Sequence, residues 1–484
     1  MPPQVTPETK QSTAPAPTGL IPYNVPPRVL LYFWIIVVQL VASAISGIGY
    51  VLQSPKWYLG GAFIWIAWFV LMFRMVQPNR NGFLERHREE VRRGAFTIFI
   101  TLFTLGVLEV VTFAVVYPVF FSKHKTGDVA AVMAGFKEVF QYNDGDILVQ
   151  QAGENLLTGR NPYADANIIE GLITYHGAYD RVTPLRVGRF KNDFPYPSLD
   201  SIKALIDQAV KDPAHPPAEL ISEVSYPAGS FLLPAPFLAM GIKDIRVIYA
   251  ILAAAGLGYA VWVMPGRRRW VFLGGVLISL EFWNGIAAGD TSVTCFPLLL
   301  VAWLTLGRKN WVSALFLGLA VATKQTAWFI VPFYAVLLYR REGWRPLPMV
   351  AGITIAVFTA MNLPFIIAGP RLWLDSVLSP VRDPMFPLGV GLINLVTSGL
   401  VNIRSALPFT LLEAAAFVVG IVWYWRNCRR APHAGLILAV LPLFFAWRSL
   451  WPYFFYVGMI AFAGVCSGHL EENESGRLSA PGVD

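Results

Sequence analysis

The sequence predicts an all-α membrane protein that crosses the bilayer about twelve times. Apolar residues make up 55% of the 484 positions, charged residues 14%, and the mean hydropathy is +0.52, outside the soluble globular range. Uncharged stretches such as 29–53 are long enough to cross a hydrocarbon core about 30 Å thick, and shorter ones indicate tilted or broken helices. The expected spans are 29–53, 57–77, 95–121, 244–265, 270–286, 292–307, 311–323, 326–340, 346–368, 406–426, 433–447 and 453–468.

Basic clusters between these spans predict the orientation, because short loops rich in lysine and arginine stay in the cytoplasm. All the clusters fall on one side if the proline-rich segment 226–241 does not complete a crossing, so we expect that segment to be juxtamembrane or half-inserted on the outer face. The net charge of +8 is then a topology signal, and no nucleic-acid partner is expected. The clusters lie at 86–93, 267–269, 308–309, 340–345 and 426–430.

This topology divides the chain into five regions and brings polar loops together at the outer surface. The regions are a disordered cytoplasmic N-terminus at 1–27; two transmembrane helices and a basic inner loop at 28–94; a central region at 95–340 with a large outer loop at 122–243; a C-terminal transmembrane region at 341–468 with a second outer loop at 369–404; and a cytoplasmic tail at 469–484.

Two acids, Asp144 and Asp146, lie in the large outer loop. Apolar residues recur at helical spacing after Asp146, which predicts a short helix that lies on the membrane with the acids at its N-terminal end. The acids either only cap that helix or also perform chemistry, and the sequence favours neither reading. A second amphipathic helix is expected over 201–211. The apolar face of the first helix comprises Ile147, Leu148, Ala152, Leu156 and Leu157.

Three charged residues lie at the outer tips of apolar segments. Lys324 lies between two short apolar segments, where an ammonium is costly unless it snorkels to water or contacts an anion such as a phosphate. Arg448 lies similarly among tryptophans, and Asp290 either pairs with Lys324 or takes part in function. The cysteines and loop histidines show no disulfide or metal-ligand pattern.

Four motifs follow one another along the central region. Asp146 is followed by a helical stretch that closes on Gly-Arg-Asn-Pro-Tyr at 159–163; Tyr-Pro-Ala follows at 226–228, Gly-Asp at 289–290, and Lys324 between the next two apolar segments. This order resembles the GT-C superfamily of polytopic membrane glycosyltransferases. It is most similar to glycosyltransferase family 87, whose members include enzymes that use polyprenol phosphate mannose.

The resemblance covers about 95–340 well and the C-terminal third only in hydropathy. Two extra spans precede the family's usual first helix. Ala228 replaces the second proline of a Tyr-Pro-Pro element, and Asp290 occupies a position where the family commonly has glutamine or asparagine.

The resemblance implies a GT-C-like fold and an inverting transfer of a sugar from a polyprenyl-phosphate donor to the hydroxyl of a glycan or glycolipid acceptor. The site would lie on the extracytoplasmic face of the cell membrane. A carboxylate would act as general base, and cations would stabilise the departing phosphate. Whether a divalent cation binds between the two acids stays open. The implied residues are Asp146 or Asp144 as base, Lys324, Arg448, Arg404 and Arg382 at the donor phosphate, and Asp290, Asn161, Tyr163 and Tyr226 at the substrate.

Two other classes of function stay open at this point. Acidic residues within or near the spans, Glu109, Glu281 and Glu413, are compatible with a lipid or solute transporter or flippase. A protein with the GT-C shape could also serve as a scaffold without catalysis. Transfer assays with polyprenyl-phosphate sugars distinguish these classes from an enzyme.

Overall fold

The structure, a computed structural model, describes residues 25–51, 56–78, 82–112 and 140–471. Nearly all of its regular structure is helical, as the apolar composition predicts. The predicted termini 1–24 and 472–484, and residues 113–139 at the end of one predicted span and the start of the outer loop, lie outside the described residues. Within these described ranges, the first nine helices are α1 (Pro27–Val51), α2 (Lys56–Val76), α3 (Gly82–Arg86), α4 (Arg88–Val111), α5 (Asp144–Leu157), α6 (Ile168–Tyr175), α7 (Leu199–Ala209), α8 (Gly229–Leu232) and α9 (Ala235–Ala239).

The second half of the chain forms the remaining helices and a pair of two-residue strands. The strands β1 (Leu388–Gly389) and β2 (Arg448–Ser449) run parallel and join the second outer loop to the tip that carries Arg448. The helices are α10 (Ile245–Val263), α11 (Arg268–Leu277), α12 (Leu280–Ala288), α13 (Ser292–Thr305), α14 (Asn310–Val321), α15 (Thr326–Glu342), α16 (Leu347–Ala368), α17 (Pro370–Arg382), α18 (Asn394–Thr397), α19 (Leu407–Asn427), α20 (Ala434–Val440) and α21 (Pro452–Ser467).

Among the described residues, six helices are long and apolar enough to cross a membrane, and α11 with α12, bent by 56°, makes a seventh if the pair is one span. These helices confirm a helical membrane protein, whereas the count of twelve spans stays a prediction. Most of the other predicted spans are apolar helices of 10–17 residues. The long helices are α1, α2, α4, α10, α16 and α19.

Two of the shorter helices, α13 and α21, form the centre of the bundle. Every residue of α13 and all of α21 after its first two residues are buried, and the two helices pack against each other. A helix that is apolar on all sides must be surrounded by other apolar groups, and both helices lie in such surroundings. The helix α13 begins at Ser292, two residues after Asp290, so this core element positions the candidate site.

The outer loop departs from the predicted surface arrangement at α5. This helix was expected to lie on the membrane, but nine of its 14 residues are buried, and it packs against α6, α8 and α9. The hydrophobic spacing is the same whether a helix faces lipid or protein, so the sequence pattern did not separate the two. The expected cap is also wrong, because the Asn143 side chain, and neither acid, accepts from the backbone N–H of Asp146 at 3.1 Å.

Two other predictions for the outer loop agree with the structure. The second amphipathic helix forms as α7, with Ile202, Leu205 and Ile206 buried and Ser198 as its cap. The segment 226–241 forms α8 and α9, which together are roughly 16 Å long at 1.5 Å per residue, about half the hydrocarbon thickness. The short helices agree with the expected half-inserted segment in length only, and its position relative to the membrane stays a prediction.

Candidate functional site

The candidate site is built around a buried acid at the start of α5. Asp146 is fully buried, and neither of its carboxylate oxygens has a hydrogen-bond partner. Gly289, with φ of +77°, lies directly against it, since a Cβ at that position would come 2.6 Å from Asp146 Oδ2. The Tyr249 hydroxyl is close enough to affect the Asp146 carboxyl, but the two do not meet hydrogen-bond geometry. An acid without partners in such a place is a candidate for chemistry.

A lysine lies on the neighbouring side of the site. Lys324 is 6% exposed, and its ammonium donates to Thr291 Oγ1 at 2.7 Å and Ser292 Oγ at 2.8 Å. Its Nζ atom is 3.8 Å from Asp290 Oδ1 and 5.1 Å from the centre of the Tyr226 ring. The lysine is therefore held inside the site, and the snorkelling alternative is wrong.

An ion pair that was not predicted from the sequence lies beside Asp146. Arg246 binds Asp244 in a bidentate manner, with N–O distances of 2.7 and 2.9 Å, and Tyr142 donates to Asp244 at 2.7 Å. The Arg246 guanidinium also lies 4.4 Å from the centre of the Tyr142 ring. Its Cγ is 3.2 Å from the Cβ position of Gly289, so Arg246 and Asp146 approach the same glycine. The available signal was two opposite charges at the start of an apolar helix.

The environment makes Asp146 unusually basic for an aspartate. Burial raises the pKa of the Asp146 carboxyl well above its usual range, and the nearby charge of Asp290 raises it further. The positive charges of Lys324 and Arg246 act in the opposite direction but do not reverse the shift. The carboxyl can therefore take up a proton at a pH where an exposed aspartate would not.

Asp144, the other predicted acid, is held by the backbone. One of its oxygens accepts from the N–H of Gly145 at 2.8 Å, and the other accepts from the N–H of Thr183 at 2.8 Å. The bond from Thr183 connects the start of α5 to the segment that follows α6. The two bonds favour a structural role for Asp144 and leave Asp146 as the acid without hydrogen-bond partners.

The residues predicted to bind substrate lie in two layers. Asp290 and Tyr226 lie in the site itself, within electrostatic range of Asp146. Tyr163 is buried behind them and donates to the Tyr226 carbonyl at 2.9 Å. The Asn161 side chain accepts from the N–H of Tyr163 at 3.0 Å and so shapes the turn before it. The structure therefore gives Asn161 and Tyr163 positioning contacts.

The three predicted phosphate-binding arginines have different surroundings. Arg448 has a buried Nη1 atom with no hydrogen-bond partner, and both Arg448 and Lys324 act electrostatically on Tyr453. Arg404 is exposed and lies 5.4 Å from the ring centre of Phe194. The structure thus associates Arg448 with Lys324, while Arg404 lies on the surface.

Arg382 is neutralised by a group of acids on the surface. It is 46% exposed and lies 2.5 Å from Asp375, 3.2 Å from Asp383 and 3.9 Å from Glu223. Burial, together with the neighbouring Asp383, raises the pKa of Glu223 to about 7, and Arg382 opposes this shift. A guanidinium that already has acidic partners is a poor candidate for a phosphate contact.

Two observations bear on whether a divalent cation binds at the site. No group of three or more histidine, cysteine or acidic residues that could hold a metal ion occurs in the described ranges. Both Asp144 oxygens accept from backbone N–H groups, and the Lys324 ammonium lies close to Asp290.

Two of the acids that were predicted within or near the spans are neighbours. Glu281 on α12 lies near Ser43 and Glu109.

The fold and this site define an all-helical membrane protein with a buried carboxyl and a buried ammonium in one polar site near the apolar core. No known protein family matches the chain, and neither a curated protein nor a solved structure is significantly similar to it.

Proposed function

We propose that this protein is an integral membrane glycosyltransferase of GT-C type, with Asp146 as its general base. It transfers a sugar from a polyprenyl-phosphate donor to a hydroxyl of a glycan or glycolipid acceptor. The observation that carries the proposal is the buried Asp146 carboxyl, which has no hydrogen-bond partner and lies within electrostatic range of Lys324. The resemblance in motif order supports the choice of substrates.

In this reaction the acceptor hydroxyl oxygen attacks the anomeric carbon of the donor sugar and forms the new glycosidic bond. The bond from that carbon to the phosphate oxygen breaks, and its electron pair leaves with the polyprenyl phosphate. Asp146 accepts the proton of the attacking hydroxyl. A single displacement of this kind inverts the configuration at the anomeric carbon.

The electrostatics of the site support these roles. A general base works best when its pKa lies near the operating pH, and burial moves Asp146 in that direction. The leaving phosphate needs cations that are already in place, and Lys324 is held by Thr291 and Ser292. Arg448 adds a buried N–H group without a partner, which a phosphate oxygen would satisfy.

The proposed location is the extracytoplasmic face of the cell membrane. The basic clusters lie in the connections opposite the loop that carries Asp146 if the positive-inside rule sets the orientation. A donor with a long prenyl chain requires a site next to the bilayer, and the helices around α13 are apolar enough to border one.

The test is transfer from radiolabelled polyprenyl-phosphate sugars to candidate acceptors by purified protein in proteoliposomes. Asp146→Asn should lower the transfer rate about 10²- to 10⁴-fold, the usual contribution of a general base. Asp144→Asn keeps an oxygen that can accept a backbone hydrogen bond, so it should keep most of the activity.

Equal transfer by Asp146→Asn and wild-type protein would show that another group is the base. If no donor supports transfer while labelled lipid or solute moves across the proteoliposome membrane, the protein is a transporter or flippase. If no donor supports transfer and no labelled lipid or solute crosses the membrane, the hypothesis of a non-catalytic scaffold replaces that of an enzyme.

A further inference from the structure

A cavity of about 540 Å³ lies beside the candidate site, between α5, α6 and the start of α10. Its volume is within the range of sites that bind small molecules. None of the roles proposed above uses it. We call it the α5 cavity, and its lining residues are Tyr142, Gln150, Glu154, Leu157, Thr174, Tyr175, His176, Leu238, Ile242, Lys243 and Arg246.

The α5 cavity follows the same face of α5 as Asp146. Gln150, Glu154 and Leu157 lie four, eight and eleven residues after Asp146, which places all four side chains on one side of the helix. Arg246 also lines the cavity and approaches the same glycine that touches Asp146. The cavity and the buried general base therefore adjoin at Arg246 and Gly289, although Asp146 itself does not line the cavity.

The polar wall of the cavity presents a fixed carboxylate. Glu154 Oε2 accepts from the Tyr175 hydroxyl at 2.7 Å, and Oε1 accepts from Gln150 Nε2 at 3.1 Å. Gln150 in turn donates to the Lys243 carbonyl at 2.7 Å. Each carboxylate oxygen has a second lone pair, so Glu154 can still accept hydrogen bonds from a ligand's hydroxyl groups without moving.

The remaining walls suit the less polar parts of such a ligand. The Tyr175 ring, 6.2 Å from the Tyr142 ring at 60°, gives the cavity an aromatic wall that can contact a sugar ring, while Arg246 lies over one face of Tyr142. Leu157 is exposed at one end, and Leu238 of the short apolar helix α9 lines the cavity with it. These side chains offer an apolar surface to an alkyl chain.

The charge of the cavity does not favour a phosphate. Glu154 and Lys243 contribute opposite charges, and Arg246 is bound to Asp244. The cations associated with the proposed donor phosphate, Lys324 and Arg448, do not line the cavity. A neutral ligand rich in hydroxyl groups fits this wall better than an anionic one.

We propose that the α5 cavity binds the acceptor, a neutral hydroxyl-rich sugar headgroup linked to an alkyl or lipid chain. This inference rests on the proposed function, because it identifies the ligand of the cavity as the acceptor of that reaction. Glu154 and the two tyrosines hold the sugar, Leu157 and Leu238 contact the chain, and the donor occupies the side of Asp146 that carries Lys324.

The test is photolabelling in nanodiscs, without any sugar donor and without sugar-based detergent. The probe is an alkyl hexoside that carries a diazirine on its sugar, and labelled peptides are mapped by mass spectrometry. We expect label on α5 and on 174–176. Leu157→Trp places an indole in the cavity and should lower this labelling at least about fivefold, whereas Leu199→Trp, the same change at an exposed leucine outside the cavity, should not.

Two further variants separate a sugar site from a merely structural pocket. Glu154→Gln should weaken labelling by the hexoside more than labelling by an alkyl diazirine that lacks the sugar, because it weakens hydrogen bonds to hydroxyl groups only. Lys203→Met, at an exposed lysine on α7 that does not line the cavity, should leave the labelling unchanged. Label confined to other segments, or equal labelling of Leu157→Trp and wild-type protein, would overturn the inference.

Failure of this inference is distinguishable from failure of the proposed function. If the cavity is labelled but no donor supports transfer, the proposed sugar site is supported and the proposed glycosyltransferase activity is contradicted. If transfer occurs and Leu157→Trp changes neither labelling nor the KM for the acceptor, the acceptor binds elsewhere. When both hold, Leu157→Trp should raise the acceptor KM about tenfold or more and leave the donor KM unchanged.

Discussion

Gly289 lies against Asp146 so closely that a Cβ atom at position 289 would come 2.6 Å from the Asp146 carboxylate. The glycine also has φ of +77°, which it needs to end α12 and turn the chain toward Asp290. Glycine at position 289 therefore allows both the tight turn after α12 and the close approach of the Asp146 carboxylate.

The close approach predicts that Gly289→Ala lowers transfer strongly. Residue 399 offers a matched control, because Gly399 has the same φ of +77° and nothing within 4 Å of its Cβ position. Both alanine variants should lose about 1 kcal/mol of stability from the strained backbone. Only Gly289→Ala should also displace the Asp146 carboxyl and reduce kcat at least about tenfold. Transfer rates and unfolding midpoints in nanodiscs measure the two effects, and equal activity of the two variants would contradict the prediction.

The pH dependence of transfer should report the surroundings of Asp146. The base must be ionised to accept a proton, and burial raises its pKa, so kcat/KM should fall with decreasing pH well before the range of an ordinary aspartate, about pH 4. Lys324 opposes the shift. Lys324→Met should therefore move the midpoint of this acidic limb to higher pH, in addition to any loss of rate.

Lys203→Met is the control for this measurement, because Lys203 is an exposed lysine on α7. Its pH profile should coincide with the wild-type profile. A Lys324→Met midpoint at or below the wild-type value would show that the lysine does not act on the base.

The same raised pKa predicts a stability effect of Asp146→Asn. A carboxyl whose pKa is higher in the folded state stabilises the fold fully below its unfolded pKa, and this contribution is lost as the pH rises through the folded pKa. The asparagine variant does not titrate, so it should become more stable than wild type as the pH rises, by about 1–3 kcal/mol, the usual cost of a buried unsatisfied group.

Thermal unfolding from pH 4 to pH 9 measures this difference. Asp200→Asn, at an exposed position of α7, serves as the control and should stay within about 0.5 kcal/mol of wild type throughout. A variant that is inactive yet more stable would indicate that burial of Asp146 is maintained for function. A difference that shrinks as the pH rises would contradict the raised pKa.

Part of this site was predictable because polar residues are conspicuous in an apolar chain. Asp146, Asp290 and Lys324 were identified as candidates from their position between apolar segments, and the structure brings them together. The choice between Asp144 and Asp146 was not predictable, because it depends on which carboxyl receives backbone hydrogen bonds. One of those bonds comes from the adjacent Gly145, but the other comes from Thr183, far along the chain, and no local pattern encodes it.

The hydrophobic pattern was least informative where other helices, and not lipid, cover the apolar face of a helix. The apolar face of α5 was assigned to the membrane, yet α6, α8 and α9 cover it. The helices α13 and α21 resemble spans in composition, but they are short and almost completely buried. Hydropathy reports that a segment avoids water and does not report what surrounds it, so the fold class was predictable and the packing was not.

The arginines predicted at the donor phosphate should not be equivalent. Arg448→Gln removes the guanidinium whose buried Nη1 atom has no partner, so it should raise the donor KM at least about tenfold. Arg404→Gln changes an exposed side chain on Phe194 and should alter the donor KM less than about threefold. Initial rates over a range of donor concentrations separate the two variants, and similar values would show that Arg448 does not contact the phosphate.

The orientation is testable because the chain's three cysteines, Cys295, Cys428 and Cys466, are all buried. Single cysteines introduced at exposed positions should therefore dominate labelling by a membrane-impermeant maleimide in intact cells. Lys211→Cys, in the outer loop, should be labelled from outside, whereas Arg267→Cys, in a basic cluster, should be labelled only after the membrane is permeabilised.

Both labelling positions are exposed lysine or arginine residues, so differences in intrinsic accessibility are small. External labelling of both sites would mean that 226–241 completes a crossing, and the clusters after it would then lie outside. External labelling of Arg267→Cys alone would invert the whole chain and place Asp146 in the cytoplasm. That outcome would exclude an extracytoplasmic reaction while leaving the geometry around Asp146 and Lys324 unchanged.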